Sequence, residues 1–156
     1  MTATISLEEL NEQSALLDRV DRKYLIKTSD LPVIWNNLDD CSRVLDINGL
    51  TWFGYHSVYY DTPELDCYAD AGIGRRRRFK VRTRAYLATG TCWLELKVRN
   101  ARGETVKDRI ELPPGCERHL TPEARSFLAG HDQIAPHLDH LAPALVTTYD
   151  RATLHC

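Results

Sequence analysis

Arg75-Arg76-Arg77-Arg78-Phe79-Lys80-Val81-Arg82-Thr83-Arg84 carries seven cations in ten residues. From Arg78 onward the cations fall at every second position, with Phe79, Val81, Thr83 and Ala85 between them. Successive side chains of a β-strand point to opposite faces, so this spacing predicts a strand with one apolar and one basic face. Like charges that close repel one another unless water or an anion screens them. Solvated surface or a nucleic-acid patch is the ordinary source of a basic run. A disordered basic tail, however, has no reason to interleave Phe79 and Val81.

The pattern repeats in the segments that follow. After the turn Ala88-Thr89-Gly90, the stretch Thr91–Arg99 alternates Trp93, Glu95, Lys97 and Arg99 with Leu94, Leu96 and Val98. After Asn100-Ala101-Arg102-Gly103, Lys107, Arg109 and Glu111 alternate with Val106, Asp108, Ile110 and Leu112. Three consecutive strands in a meander are predicted. Their polar faces hold eight cations (Arg78, Lys80, Arg82, Arg84, Lys97, Arg99, Lys107, Arg109) against the carboxylates Glu95 and Glu111. Cross-strand like charges destabilise a sheet, so a face of this composition calls for a counterion. An ordinary solvent face would mix Thr, Ser and Gln with its lysines.

Upstream, Ser6-Leu7-Glu8-Glu9 has capping-box spacing and predicts a helix over about residues 6–16. Arg19–Ile26 alternates as a further strand with a charged face that includes Lys23. Ser29 or Asp30 caps a second predicted helix through Leu38, with Pro32 in its first turn. Arg43–Ile47 and Thr51–Tyr60, broken by Asn48-Gly49, read as a hairpin. Asp61-Thr62-Pro63 precedes a short helix through Ala69. Downstream, Thr121-Pro122 opens a helix that Gly130 closes. His131, His137 and His140 lack the spacing of a helical metal pair and read as solvated. Leu145–Leu154 is a last strand, with Tyr149 and Arg151 on one face.

Composition bounds the possibilities. At 156 residues, 43% hydrophobic and 27% charged, the chain is expected to be one globular domain over residues 1–156. Its formal net charge is -2 although Arg75–Arg84 carries +7, which leaves -9 elsewhere. A locally basic chain of this kind is not expected to be a general nucleic-acid binder. Five widely spaced cysteines without a Cys-x-x-Cys pair argue against a zinc site or a disulfide framework. With no apolar run of leader or membrane-spanning length, no membrane segment of its own and a cytoplasmic location are the default expectations.

Five short pieces, in order, carry a family resemblance: Arg19-Val20-Asp21-Arg22-Lys23-Tyr24, Ser57-Val58-Tyr59-Tyr60-Asp61-Thr62-Pro63, Lys80-Val81-Arg82-Thr83-Arg84-Ala85-Tyr86, Glu95-Leu96-Lys97 and Tyr149-Asp150-Arg151. From about residue 7 to its end, the chain resembles the VTC-type polyphosphate polymerase domain, a branch of the CYTH-like triphosphate tunnel metalloenzymes. The resemblance implies an α+β fold, a mainly antiparallel curved sheet forming an incomplete β-tunnel with helices packed outside. It implies a polyphosphate or nucleotide-triphosphate ligand, ATP as phosphate donor, and a divalent metal, manganese or magnesium. By motif position, Lys23, Arg82, Arg84, Lys97 and Arg151 are the expected phosphate-binding catalytic residues. Arg78, Lys80, Arg99, Lys107 and Arg109 are added to the ligand-binding set from the alternation alone. Arginine suits this chemistry through forked, permanently charged contacts, and lysine as a point charge.

The match departs from the superfamily in two places. An acidic Glu-x-Glu-x-Lys strand is replaced by Arg19-x-Asp21-x-Lys23, which leaves at most one carboxylate there and assigns no metal ligand. The family also continues past the Tyr-x-Arg strand, so the chain is expected to be short at its C-terminal side, with a partner chain completing the tunnel. Polyphosphate polymerase-like phosphotransfer therefore stands beside two other expectations, a non-catalytic polyanion-binding module or an inactive truncated relic. Nucleic-acid binding through Arg75–Arg84 ranks below them.

Overall fold

The computed structural model describes residues 3–14, 22–39, 41–100 and 102–156. These fall into two compact units, Phe53–Asp150 and a smaller one made of Met1–Trp52 with Arg151–Cys156.

The larger unit is built on the alternating strands. In chain order it contains β3 (Phe53–Asp61), α3 (Asp66–Gly72), β4 (Arg78–Tyr86), β5 (Thr91–Arg99), β6 (Thr105–Leu112), α4 (Pro122–Ala129), a 3-10 turn (Ala135–His140) and β7 (Ala142–Arg151). The smaller unit contributes β1 (Ala3–Ile5), α1 (Leu7–Ser14), α2 (Leu31–Asn36), β2 (Arg43–Leu45) and β8 (Leu154–His155). The large sheet has the order β6-β5-β4-β3-β7, antiparallel from β3 through β6. Among the described residues it does not close, and β6 and β7 form its edges. Architecture is thus α+β with a mainly antiparallel, open sheet, as the sequence led one to expect.

Alternation decides which face of the sheet is buried. Val58, Tyr60, Val81, Leu94, Leu96 and Leu112 point to one side and pack with Ala124 and Leu128 of α4, Ile134 and Leu141. Burying each large aliphatic group is worth about 1.5–3 kcal/mol, so the helical layer must cover this face and the charged face must lie opposite. Thr121 starts α4 as predicted, its hydroxyl accepting from Ala124 N at 3.2 Å. In the same layer the Thr83 hydroxyl and the Tyr60 phenol both donate to the Glu117 carbonyl. Burial, reinforced by Cys92, Cys116 and Glu117, pushes the Tyr60 hydroxyl up to about 12, keeping it a donor.

A remote carboxylate nucleates α3, which leads into the basic strand. The residue before its first turn, Leu65, is left-handed (φ 59°) and supplies no side-chain cap. Asp61, at the end of β3, accepts instead from Thr62 N at 2.8 Å, Cys67 N at 2.8 Å and Tyr68 N at 3.0 Å. Burial and this carboxylate together raise the Cys67 thiol well above its ordinary value.

Three expectations are corrected in the smaller unit. Residues 22–27 form no strand; Tyr24 and Leu25 are exposed, so the alternation there has no apolar surface to pack on. The other half of that predicted strand, residues 19–21, lies outside the described residues. Asn48-Gly49 does make a tight turn, with φ 54° and 80°, but it is not a hairpin of the flanking strands. β2 pairs with β1 and β8, while β3 belongs to the other sheet. The first helix is capped as expected, Ser6 Oγ accepting from Glu9 N at 3.1 Å, and α2 ends at Asn36 rather than Leu38.

Replacing Asp61 with Ala should destabilise the protein by about 1–3 kcal/mol, the cost of stranding buried amide donors. Urea denaturation measures this; a loss of a few tenths would mean that α3 stands without its remote cap.

Candidate functional site

The register of the meander converts a list of cations into rows. Across β3, β4, β5 and β6 one row reads Tyr59, Arg82, Glu95, Arg109. On one side of it lies Ser57, Arg84, Trp93, Glu111. On the other side lie Lys80, Lys97, Lys107 and then Arg78, Arg99, Thr105. Because every second residue shares a face, all eight cations singled out from the alternation stand on one surface of the sheet, opposite the α4 layer.

The rows differ sharply in how their charge is neutralised. Glu95 is the hub of the central one. Arg82 Nε and one terminal nitrogen reach Glu95 Oε2 at 2.7 and 2.5 Å, and the Arg84 guanidinium lies 3.7 Å from Oε1. Tyr86 donates its hydroxyl to the same Oε1 at 3.4 Å. Arg82 also donates to Tyr59 Oη at 3.0 Å, and Arg84 to Ser57 Oγ at 3.3 Å. Burial alone would lower the Arg82 pKa, but Glu95 and the Tyr59 hydroxyl more than offset it and leave it raised.

Aromatic rings fix the guanidinium planes. Arg84 lies over Tyr55 at 5.4 Å, Arg82 over Tyr59 at 5.7 Å and Arg109 over Trp93 at 4.5 Å. Tyr55 in turn packs edge-on to Tyr86 and stacks with Tyr149. Such stacking holds a guanidinium in a fixed plane without consuming its donors.

The lysine row has none of this. Lys80, Lys97 and Lys107 are exposed and directly opposed. Among the described residues β5 and β6 place no carboxylate in that row or the Arg78–Arg99 row. On the β3 side the register ends at Tyr60–Val81, and the next residue, Asp61, is bonded to the amides of Thr62, Cys67 and Tyr68. Like charges directly opposed across a sheet destabilise it. Arg78, Lys80, Lys97, Arg99 and Thr105 line a cavity of about 320 Å³, and Arg99 Nε is buried without a hydrogen-bond partner among the described residues. Positive charge without a partner on the protein is concentrated at this end of the face.

Lys23 and Arg151 belong to the smaller unit. Lys23 is exposed in an irregular stretch, which corrects its placement on a strand, and Arg151 ends β7 as an exposed residue. The central role of Glu95 was not foreseen. Its position among alternating cations was visible, but only the register brings Arg82, Arg84 and Tyr86 to one carboxylate. The period-two run Tyr55, Ser57, Tyr59 was the available signal for the polar face of β3.

Among the described residues no three His, Cys, Asp or Glu side chains come together. Glu95, the carboxylate at the centre of the face, has both oxygens engaged by arginines.

On this face the central row holds its own carboxylate, while β5 and β6 place none in the lysine row or the Arg78–Arg99 row on one side of it. Comparison with known proteins makes the class definite: the VTC domain profile matches residues 18–156, and the chain belongs to that family. No curated protein is similar enough to count as a match. Among solved structures the chain is similar to the candidate adenylyl cyclase HpAC1 from Hippeastrum, described as having a dominant triphosphatase activity, at 20% identity and a TM-score of 0.37. That alignment covers 66% of this chain and 53% of the other, so the chain spans about half the length of the structure it matches. Among the described residues no helix is long and apolar enough to cross a membrane.

Glu95→Gln should lower stability by about 1–3 kcal/mol in low salt, because it strands two arginines beside Arg109. The deficit should shrink as sodium chloride screens the exposed repulsion. Urea titrations at several salt concentrations check this; a deficit independent of salt would mean that Glu95 acts through packing.

Proposed function

We propose that the basic face binds polyphosphate or a nucleotide triphosphate, with the phosphates seated on Lys80, Lys97, Lys107, Arg78 and Arg99. One observation carries this reading: two adjacent rows of cations across β4, β5 and β6 with no carboxylate among the paired residues, beside a row that contains its own. Arg82, Arg84 and Arg109 border the seat, their planes set by Glu95 and the aromatic rings. Lys23 and Arg151 join the ligand-binding set by motif position.

In its catalytic form the same reading has the domain transfer the terminal phosphate of ATP to polyphosphate. A terminal polyphosphate oxygen attacks the γ-phosphorus, the bond to the β,γ-bridging oxygen breaks, and ADP leaves. Such a reaction asks a protein chiefly for alignment and charge neutralisation; Arg82, Arg84 and Arg109, held by Glu95 and the aromatic rings, offer the first and the exposed lysines the second. No step here is assigned to the divalent metal that supports this chemistry in the wider superfamily.

Lys80→Ala with Lys97→Ala should weaken tripolyphosphate binding by about tenfold or more, as measured by calorimetry. A change below about twofold would refute the seat. Incubation with ATP and manganese then separates the two forms of the proposal. Acid-stable polyphosphate establishes transfer, whereas binding without product establishes a polyanion-binding module.

A further inference from the structure

The first three cations of the basic run, Arg75, Arg76 and Arg77, precede β4 and take no part in the rows described above. They line a second cavity of about 650 Å³ together with Asp70, Arg78 and His137. Arg78 and Phe79 line both this cavity and the smaller one on the lysine face. The last turn of α3 borders both as well, through Asp70 in one and Ala71 in the other. The two cavities therefore share the first residues of β4 as lining, the second one also touching Asp132, Gln133 and His137 of the helical layer.

The segment is held in place. Arg75 pairs with Asp70 at 2.9 Å, Arg75 N bonds to the Asp70 carbonyl at 2.9 Å, and Arg78 donates to the Arg75 carbonyl at 2.6 Å. Gly74, at φ 69°, provides the left-handed residue that turns the chain out of α3. With Asp70 neutralised by Arg75, the cavity retains Arg76, Arg77 and Arg78 against the exposed Asp132. Among the described residues no carboxylate pairs with Arg76 or Arg77. A positively charged concavity continuous with an anion seat focuses the field along one path.

We propose that this cavity is a second polyphosphate subsite, reached past Arg78, which holds the distal part of a long chain whose nearer phosphates occupy the lysine rows. The inference rests on the proposed seat and adds to it a preference for length. A short anion fills the first cavity only. A long one adds a second, tethered contact whose effective concentration is high because the two cavities share Arg78 and Phe79. A linear phosphate polymer fits better than single-stranded RNA. RNA binders flank a basic groove with rings that stack on bases, whereas the ring here, Phe79, is engaged by His137 at 5.5 Å.

Calorimetry on the full chain with tripolyphosphate and with long-chain polyphosphate tests this. The unaltered protein should bind the long chain more tightly. Arg76→Ala with Arg77→Ala should lower long-chain affinity by about tenfold and flatten its salt dependence by about one to two counterions. The same variant should leave tripolyphosphate within about twofold, and because both side chains are exposed its melting temperature reports that the fold is kept. Equal losses for both ligands, no loss for either, or a long chain that binds no tighter than tripolyphosphate would each overturn the second subsite while leaving the first. Single-stranded RNA that displaces long-chain polyphosphate from the unaltered protein but not from the variant would overturn it in favour of nucleic acid. Tripolyphosphate that fails to bind the unaltered protein would remove the lysine seat, and this inference with it.

Discussion

The ion pair between Arg82 and Glu95 is the constraint around which the charged face is arranged. Two guanidinium nitrogens converge on one carboxylate oxygen at the centre of three antiparallel strands, in surroundings that are largely shielded from solvent. Partial shielding makes the attraction stronger than a surface pair would be, and it makes removal of either partner costly. Glu95 can satisfy only the cations near it. Arg82 and Arg84 are held, and one register position away the lysines are not. The division between a neutralised centre and a cationic end follows from the placement of one carboxylate.

The other face of the sheet explains why the cations cannot turn away. Val81, Leu94 and Leu96 are essentially inaccessible beneath α4 and the residues that follow it. A one-residue slip of β4 would exchange Val81 for Arg82 in that core, so register is strongly specified. Apolar packing thus imposes on the opposite surface a juxtaposition of like charges that the sheet would not choose for itself. In the proposed function an external polyanion relieves it. The stability of the fold and the affinity of the proposed site are two consequences of the same alternation.

How much of this could be read from residues alone depended on whether the signal was local. The meander from Arg78 to Leu112 was legible because alternation, turn glycines and strand length agreed within one stretch of chain. The same alternation over Arg22–Ile26 misled, since an amphipathic pattern becomes a strand only where an edge and an apolar surface await it. Asn48-Gly49 announced a turn correctly, yet it could not say that β2 and β3 would join different sheets. Glu95 illustrates the remaining gap. Its neighbours in space come from three strands, and pairing register is a tertiary property. Cross-strand rows, unlike cations on a single strand, cannot be counted before the strands are aligned.

Thermal unfolding with and without tripolyphosphate, at matched ionic strength set by sodium chloride, tests the central claim most directly. If the cationic rows are completed by a phosphate polyanion, the melting temperature climbs steadily with the logarithm of tripolyphosphate concentration, as mass action requires for a ligand of the folded state. A melting temperature that follows ionic strength alone, the same in tripolyphosphate as in chloride, would contradict the account.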